Sequence, residues 1–205
     1  MTAQSDHSGP NMAKPNPSPT ILAFTILMIL LIFAATYSAG YAIYQLISLA
    51  GLQVSVNFPV AGRLAGLFII GIGSVVGLDV MRYRRPLDVL ASTSDTFMKL
   101  LKRKPIHKVS SRTEPFIPKG PYQYVRNPMY FTVLAFIFGL GLFDSSTITI
   151  LWGLVQTCWF GFVEIPFEEK ELQALFGESY TNYKRQVPML VPYGKKYKPD
   201  NAIIG

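Results

Sequence analysis

Between Lys14 and Arg63 the chain carries no Lys, Arg, Asp or Glu, and a second charge-free tract separates Asp144 from Glu164. Apolar stretches of about 20 residues read as membrane spans, because a helix rising 1.5 Å per residue then crosses roughly 30 Å of hydrocarbon. The first span lies within Ile21 to Ala50. It is longer than one crossing needs, so the helix is tilted, or it ends near Gly40 and continues along the interface. Asn57 and Pro59 mark a short turn, and a second span runs from about Val60 to Val80, closed by Asp79 and Arg82. Within it, Gly62 with Gly66 and Gly73 with Gly77 have the small-xxx-small spacing that lets helices approach closely, here read as packing within the chain. A third span starts after Pro128 and runs to about Phe143, Asp144 to Ser146 make a tight turn, and a fourth runs from about Ile148 to Val163. Both are short for a full crossing and together predict a helical hairpin.

Beyond the hairpin, Phe167 to Gln186 reads as an amphipathic helix. Leu172, Leu175, Phe176, Ser179, Tyr180 and Tyr183 fall on one face at helical spacing, with Gly177 as a candidate interruption. Val187 to Tyr193, holding Pro188 and Pro192, returns along the surface. The expected fold is therefore an all-α integral membrane protein with about four transmembrane helices, a C-terminal hairpin and an amphipathic helix. The expected organisation is a disordered tail over 1–19, two spans over 20–85 and a basic cytoplasmic segment over 86–119. A hairpin and binding region over 120–195 and a tail over 196–205 complete it. Within the basic segment, Val89, Leu90, Phe97, Leu100 and Leu101 line one side of a predicted interfacial helix.

Composition agrees with this reading. Half of the 205 residues are hydrophobic and 15% are charged, where a soluble domain carries about a quarter. The net charge of +7 does not point to nucleic acid, because the basic residues sit beside the spans: Arg82, Arg84 and Arg85, then Lys99, Lys102, Arg103, Lys104 and Lys108. Cytoplasmic loops are enriched in this way, which places both termini of a multi-pass chain in the cytoplasm and adds attraction to anionic lipid headgroups. The first apolar segment begins after Thr20 without an Arg-rich flank or a small-residue cleavage pattern, so it is expected to stay as a membrane helix. Cys158 is the single cysteine, which excludes an internal disulfide and a Cys-rich metal site.

Two clusters flank the hairpin and would meet at its cytoplasmic mouth. The first is Gly120-Pro121-Tyr122-Gln123-Tyr124-Val125-Arg126-Asn127-Pro128-Met129-Tyr130, a stiff lead-in to a membrane helix whose Pro128 suits the first helical turn. Arg126 and the tyrosines at such a place also serve as plain interfacial anchors. The second cluster starts with Glu168-Glu169, just past a span and one turn after Glu164, and continues through Phe176-Gly177 to Val187-Pro188. Carboxylates at membrane depth are costly and tend to carry function, although acidic residues also favour the start of a helix.

In its residues and spacing this pattern resembles the isoprenylcysteine carboxyl methyltransferase and phospholipid methyltransferase family. The resemblance rests on Gly120-x-Tyr122 with Arg126-Asn127-Pro128-Met129-Tyr130, then Glu168-Glu169, Leu172, Phe176-Gly177, Tyr180, Tyr183 and Val187-Pro188. It covers about Glu114 to Pro192. It implies a membrane-embedded methyltransferase that moves a methyl group from S-adenosylmethionine to a lipophilic or small acceptor: a lipid amine, an isoprenoid or carboxylate, or a thiol. By motif position, Tyr122, Asn127, Pro128, Met129 and Tyr130 would line the cofactor pocket, joined by Glu114, Pro115, Phe116 and Ile117. Glu169 would receive the cofactor's ammonium, and Arg126 or backbone N–H groups its carboxylate, so that Arg126, Glu168 and Glu169 form the reacting centre. Tyr180, Tyr183 and Arg185 would act as a lid, and no metal is called for. Methyl transfer is an in-line displacement, so the protein chiefly aligns the partners and excludes water.

Two departures bear on the acceptor. Position 127 is Asn where the prenylcysteine branch has His, and Asn cannot titrate near neutral pH. The stretch Leu151 to Glu169 holds no Arg or Lys, whereas that branch uses an arginine there to face the substrate carboxylate. Two other classes compete. A sterol-type NADPH reductase has a similar Arg-His-x-x-Tyr lead-in, but the Glu-Glu and Phe-Gly-x-x-Tyr spacing here follows the methyltransferases. A non-enzymatic scaffold or transporter would not need the paired motifs, and transport favours mid-span charges that these spans lack.

Overall fold

In the computed structural model the described residues are 18–52, 56–90, 93, 118–194 and 196–197. Every element among them is helical: α1 (Pro19–Leu49), α2 (Val60–Tyr83), a 3₁₀ turn (Gly120–Gln123), α3 (Pro128–Phe143), α4 (Thr147–Trp159), a π turn (Phe160–Glu164) and α5 (Ile165–Gln186). The expected N-terminal tail, most of the basic segment, including Phe97, Leu100 and Leu101, and residues 198–205 lie outside the described residues. So do Glu114, Pro115, Phe116 and Ile117.

Three helices are long and apolar enough to cross a membrane: α1, α2 and the continuous Thr147–Gln186; α3 is a shorter apolar helix. Together they make a multi-pass membrane bundle. α1 starts where Ser18 caps it, its hydroxyl accepting from the Ile21 N–H at 3.3 Å. It does not end near Gly40. It runs unbroken to Leu49, and Gly40 instead lets α1 lie against α4, since a Cβ there would stand 2.9 Å from the Trp152 backbone nitrogen.

The α2–α3 contact uses the small residues of the predicted pattern. A Cβ on Gly66 would sit 2.5 Å from the Gly139 carbonyl oxygen and 2.8 Å from the Phe143 nitrogen, while Gly73 faces Ala135 and Gly77 faces Thr132. In hydrocarbon no hydrophobic force drives helices together, so this close backbone approach and its dispersion contacts hold α2 to α3. Gly62 is not part of that seam; it packs on Phe58 of its own chain.

The hairpin turns at Asp144 to Ser146, with Ser145 at φ 54° and the Ser146 hydroxyl capping α4 through the Thr149 N–H at 3.2 Å. The fourth span and the amphipathic helix, expected as separate pieces, are one continuous rod. The reason lies in Pro166, which offers no N–H and would crowd the carbonyl four residues earlier in an α-helix. The preceding turn widens to π geometry, with the Ile165 N–H bonding Phe160 O, and the rod passes through without stopping. Gly177 interrupts α5 as expected, at φ 54° and ψ −127°, a conformation glycine adopts at little cost. Past it, Tyr180 and Tyr183 bury their rings against Val187 and Tyr197, with Leu172 and Phe176 packed on the same cluster.

Candidate active site

The lead-in to α3 and the end of α5 are fastened together by a set of buried polar contacts. Arg126 is at the centre. Its Nε donates to Glu169 Oε1 at 2.8 Å, and its Nη1 donates to the carbonyls of Lys184 at 2.6 Å and Val187 at 3.0 Å. Lys184 Nζ takes the other Glu169 oxygen at 2.7 Å. The Arg126 and Glu169 side chains are 9% and 4% exposed. The chain after α5 then runs back beside the lead-in: the Arg126 N–H bonds Pro188 O at 2.9 Å. Asn127 Nδ2 donates to Met189 O at 3.0 Å, and the Tyr197 N–H to Gln123 O at 2.9 Å. From α5 itself, the Tyr183 hydroxyl donates to Tyr122 O at 2.6 Å. Gly120 makes the turn possible, because it sits at φ 57° against the ring of Tyr83 from α2, where any Cβ would collide.

Next to the segment this clasp fixes is a cavity of about 240 Å³ that takes in Met129 and Tyr130. Ile29, Ile32 and Phe33 of α1, Val89, Leu90 and Thr93 from the segment after α2, and Met129, Tyr130 and Val133 of α3 line it. Phe160, Glu164 and Glu168 line it from the π turn and the start of α5, and Arg84, just past α2, stands at its rim. The Tyr130 ring packs on Phe160 with centroids 4.6 Å apart, and its hydroxyl lies beside both Glu164 and Glu168. Glu164 is 5% exposed and accepts from Trp159 Nε1 at 3.0 Å. Arg84 Nη1 reaches the Tyr122 hydroxyl at 3.5 Å. A second hollow, about 460 Å³, opens between α2 and the lead-in, lined in part by Val76, Asp79, Arg82 and Tyr124. It touches none of the predicted cofactor residues, whereas Met129 and Tyr130 line the smaller cavity, which makes that one the candidate site.

The structure divides the predicted site residues into two groups. Met129, Tyr130 and Glu168 line the cavity. Arg126, Asn127 and Glu169 belong to the clasp, where Glu169 already holds two cations. Tyr122 joins the two through its carbonyl and hydroxyl, and Pro128 is buried at the first turn of α3. Of the three lid residues, Tyr180 and Tyr183 are buried in the cluster behind the clasp and Arg185 is exposed. Sequence reasoning missed the α1 wall, Phe160 and Arg84. Generic apolar spans give no signal for the first two, and Arg84 looked like any flanking base. Glu164 was visible as a carboxylate at membrane depth.

The sequence model of the phospholipid methyltransferase family matches residues 62–179, more than half the chain. The chain belongs to the phospholipid methyltransferase family. The match reaches back through α2, beyond the motif region, and so includes both helices of the α2–α3 seam. Among known proteins of this kind, the chain is 29% identical over 188 residues to methanethiol S-methyltransferase of Crocosphaera subtropica, covering 89% of this chain and 64% of that protein. It is 27% identical over 158 residues to protein-S-isoprenylcysteine O-methyltransferase B of Arabidopsis thaliana, covering 76% and 75%. Methanethiol S-methyltransferase 1 of Bradyrhizobium diazoefficiens is 36% identical over 89 residues, 42% of this chain and 30% of that protein. The chain thus spans less than two thirds of the Crocosphaera and Bradyrhizobium relatives. No solved structure matches at comparable significance.

Proposed function

We propose that this family member is a membrane methyltransferase that uses S-adenosylmethionine to methylate a small or lipophilic acceptor in the cavity between α1 and α3. The observation that carries this reading is the pair Glu164 and Glu168 beside the Tyr130 hydroxyl, in a cavity whose other lining is mostly apolar. The donor set fits the cofactor: two carboxylates suit its cationic groups, Arg84 suits its carboxylate, and the aromatic faces of Tyr130 and Phe160 suit a cation or a flat base. When bound, S-adenosylmethionine supplies an electrophilic methyl group, which an acceptor lone pair captures as the methyl–sulfur bond breaks. Glu168 and Glu164 hold positive charge, Met129 and Tyr130 orient, and Ile29, Ile32, Phe33 and Val133 keep water from the reacting atoms. Arg126 and Glu169 act at one remove by fixing the lead-in that carries Met129 and Tyr130.

The apolar lining, and the absence of Arg or Lys from Leu151 to Glu169, favour an uncharged acceptor such as a thiol over a carboxylate. The relatives named as methanethiol S-methyltransferases agree with that preference. Arg82, Arg84 and Arg85 lie at the end of α2 and just past it, as Lys184 and Arg185 close α5, and such basic clusters beside spans support a cytoplasmic side for the cavity and for both termini. The test is calorimetric binding of S-adenosylmethionine and S-adenosylhomocysteine to purified protein, beside Glu168→Gln and Tyr130→Phe. Saturable binding is expected, weakened by about tenfold or more in Glu168→Gln, as loss of a hydrogen bond to a charged group predicts. No binding to folded protein, in detergent and in lipid nanodiscs alike, would overturn the proposal.

A further inference from the structure

Toward the middle of the bilayer the cavity ends at Phe33 and Phe160. One helical turn further in stand Thr36, which follows Ile32 and Phe33 on α1, and Gln156, which precedes Phe160 by four residues on α4. Gln156 is 0% exposed. Its Oε1 lies 2.7 Å from the Thr36 oxygen, whose one hydroxyl proton is shared between that amide and the Ile32 carbonyl at 2.9 Å, and which accepts from Trp152 Nε1 at 3.0 Å. Gln156 Nε2 has no partner among the described residues. An amide N–H₂ enclosed without a partner costs about 1–3 kcal/mol, and hydrocarbon offers no bulk water to relieve it.

A clasp between α1 and α4 does not need that group. Thr36 already bonds Trp152, the Trp152 ring packs edge-on against Phe33 and Tyr37 at 5.8 and 5.7 Å, and Gly40 admits the Trp152 backbone. The two free donors are surplus to the fold, and they lie one turn behind the inner wall of the acceptor cavity.

We infer that Gln156 Nε2 is the inner polar end of the acceptor site, donating a hydrogen bond to an oxygen at the far end of the acceptor. This rests on the methyltransferase reading and narrows its substrate class. Eight residues of helix separate Gln156 from Glu164, about 12 Å of rise. The acceptor is then an extended molecule with its nucleophilic atom at the mouth and an apolar body lying past Phe33 and Phe160. A carbonyl, ether or hydroxyl oxygen stands at its other end. Admitting it requires Phe33 and Phe160 to move aside.

The experiment compares methyl transfer to nonanethiol and to the thiol of matched length that ends in a methyl ketone, using wild type and the near-isosteric Gln156→Met. Wild type is expected to favour the ketone by about tenfold or more in kcat/KM, because a site built to donate hydrogen bonds rejects the analogue that lacks the acceptor. Gln156→Met is expected to lose that preference while binding S-adenosylmethionine unchanged and melting within a few degrees of wild type. Gln156→Asn, which keeps the amide but withdraws it by one methylene, is expected to fall between the two. Equal kcat/KM for both thiols in wild type, or a preference that survives in Gln156→Met, overturns the assignment of Gln156 alone. Absence of transfer to any thiol or amine overturns the methyltransferase reading and this inference with it.

Discussion

Replacing Arg126 by Ala tests whether the signature arginine holds the site together from behind. Arg126 and Glu169 are nearly enclosed, and removing one member of a buried ion pair costs about 3–5 kcal/mol when the other charge is abandoned. Here Lys184 stays on Glu169 at 2.7 Å, so the lower bound of about 3 kcal/mol applies to the pair. The Val187 carbonyl also loses its donor, adding about 1 kcal/mol. A total near 4 kcal/mol corresponds to a melting point lower by roughly 8–16 °C for a chain of this size. Arg126→Lys keeps the charge but cannot reach a carboxylate and two carbonyls at once, and should lose about half as much. The assay is heat-step unfolding of detergent-purified protein read by fluorescence-detected size exclusion. A double-mutant cycle with Glu169→Gln should give a coupling above about 1 kcal/mol. An Arg126→Ala protein melting within about 2 °C of wild type, or strictly additive single effects, would refute the clasp. Glu169 would then be free to be a direct cofactor contact, as the motif alone suggested.

Two further substitutions probe the frame. Gly66→Val should cost at least about 3 kcal/mol, since the atoms its Cβ would strike, Gly139 O and Phe143 N, are backbone and cannot step aside. Gly71→Val, with nothing within 4 Å of its Cβ, serves as the neutral control in the same unfolding assay, and equal melting points for the two would refute the seam. Tyr183→Phe removes the 2.6 Å bond to the Tyr122 carbonyl and should cost about 1–2 kcal/mol. An unchanged melting point would show that the lead-in is held without it.

Charge gaps revealed the spans because hydrocarbon leaves little choice: Val60 and Pro128 begin helices where the sequence put them, and the turn at Asp144 to Ser146 is in place. Gly177 was also legible, since few residues tolerate its backbone. The π turn was not, because Pro166 reads equally well as a helix start and as a helix the neighbours can absorb. For the site, the motif named segments that the fold brings together, but not which of their side chains line the cavity. Glu168 and Glu169 are adjacent in sequence, yet successive helical residues point about 100° apart. One therefore faces the cavity and the other meets Arg126 and Lys184, cations 43 residues earlier and 15 later, which only the tertiary fold brings together. The α1 wall was illegible for a simpler reason. Ile29, Ile32 and Phe33 do in a pocket what they would do against lipid.

One arm of the hairpin, α3, is shorter than the rest of the bundle. At 16 residues, α3 is about 24 Å long, against about 30 Å of hydrocarbon and a 31-residue α1. Such a shortfall draws the headgroup region inward beside the short helix. The aqueous surface then dips locally toward the cavity, so that on the proposed function a water-soluble donor and a bilayer-dissolved acceptor would arrive at one depth from opposite media. Turnover would then depend on bilayer thickness, rising in short-chain lipids and falling in long-chain ones without any change in the protein.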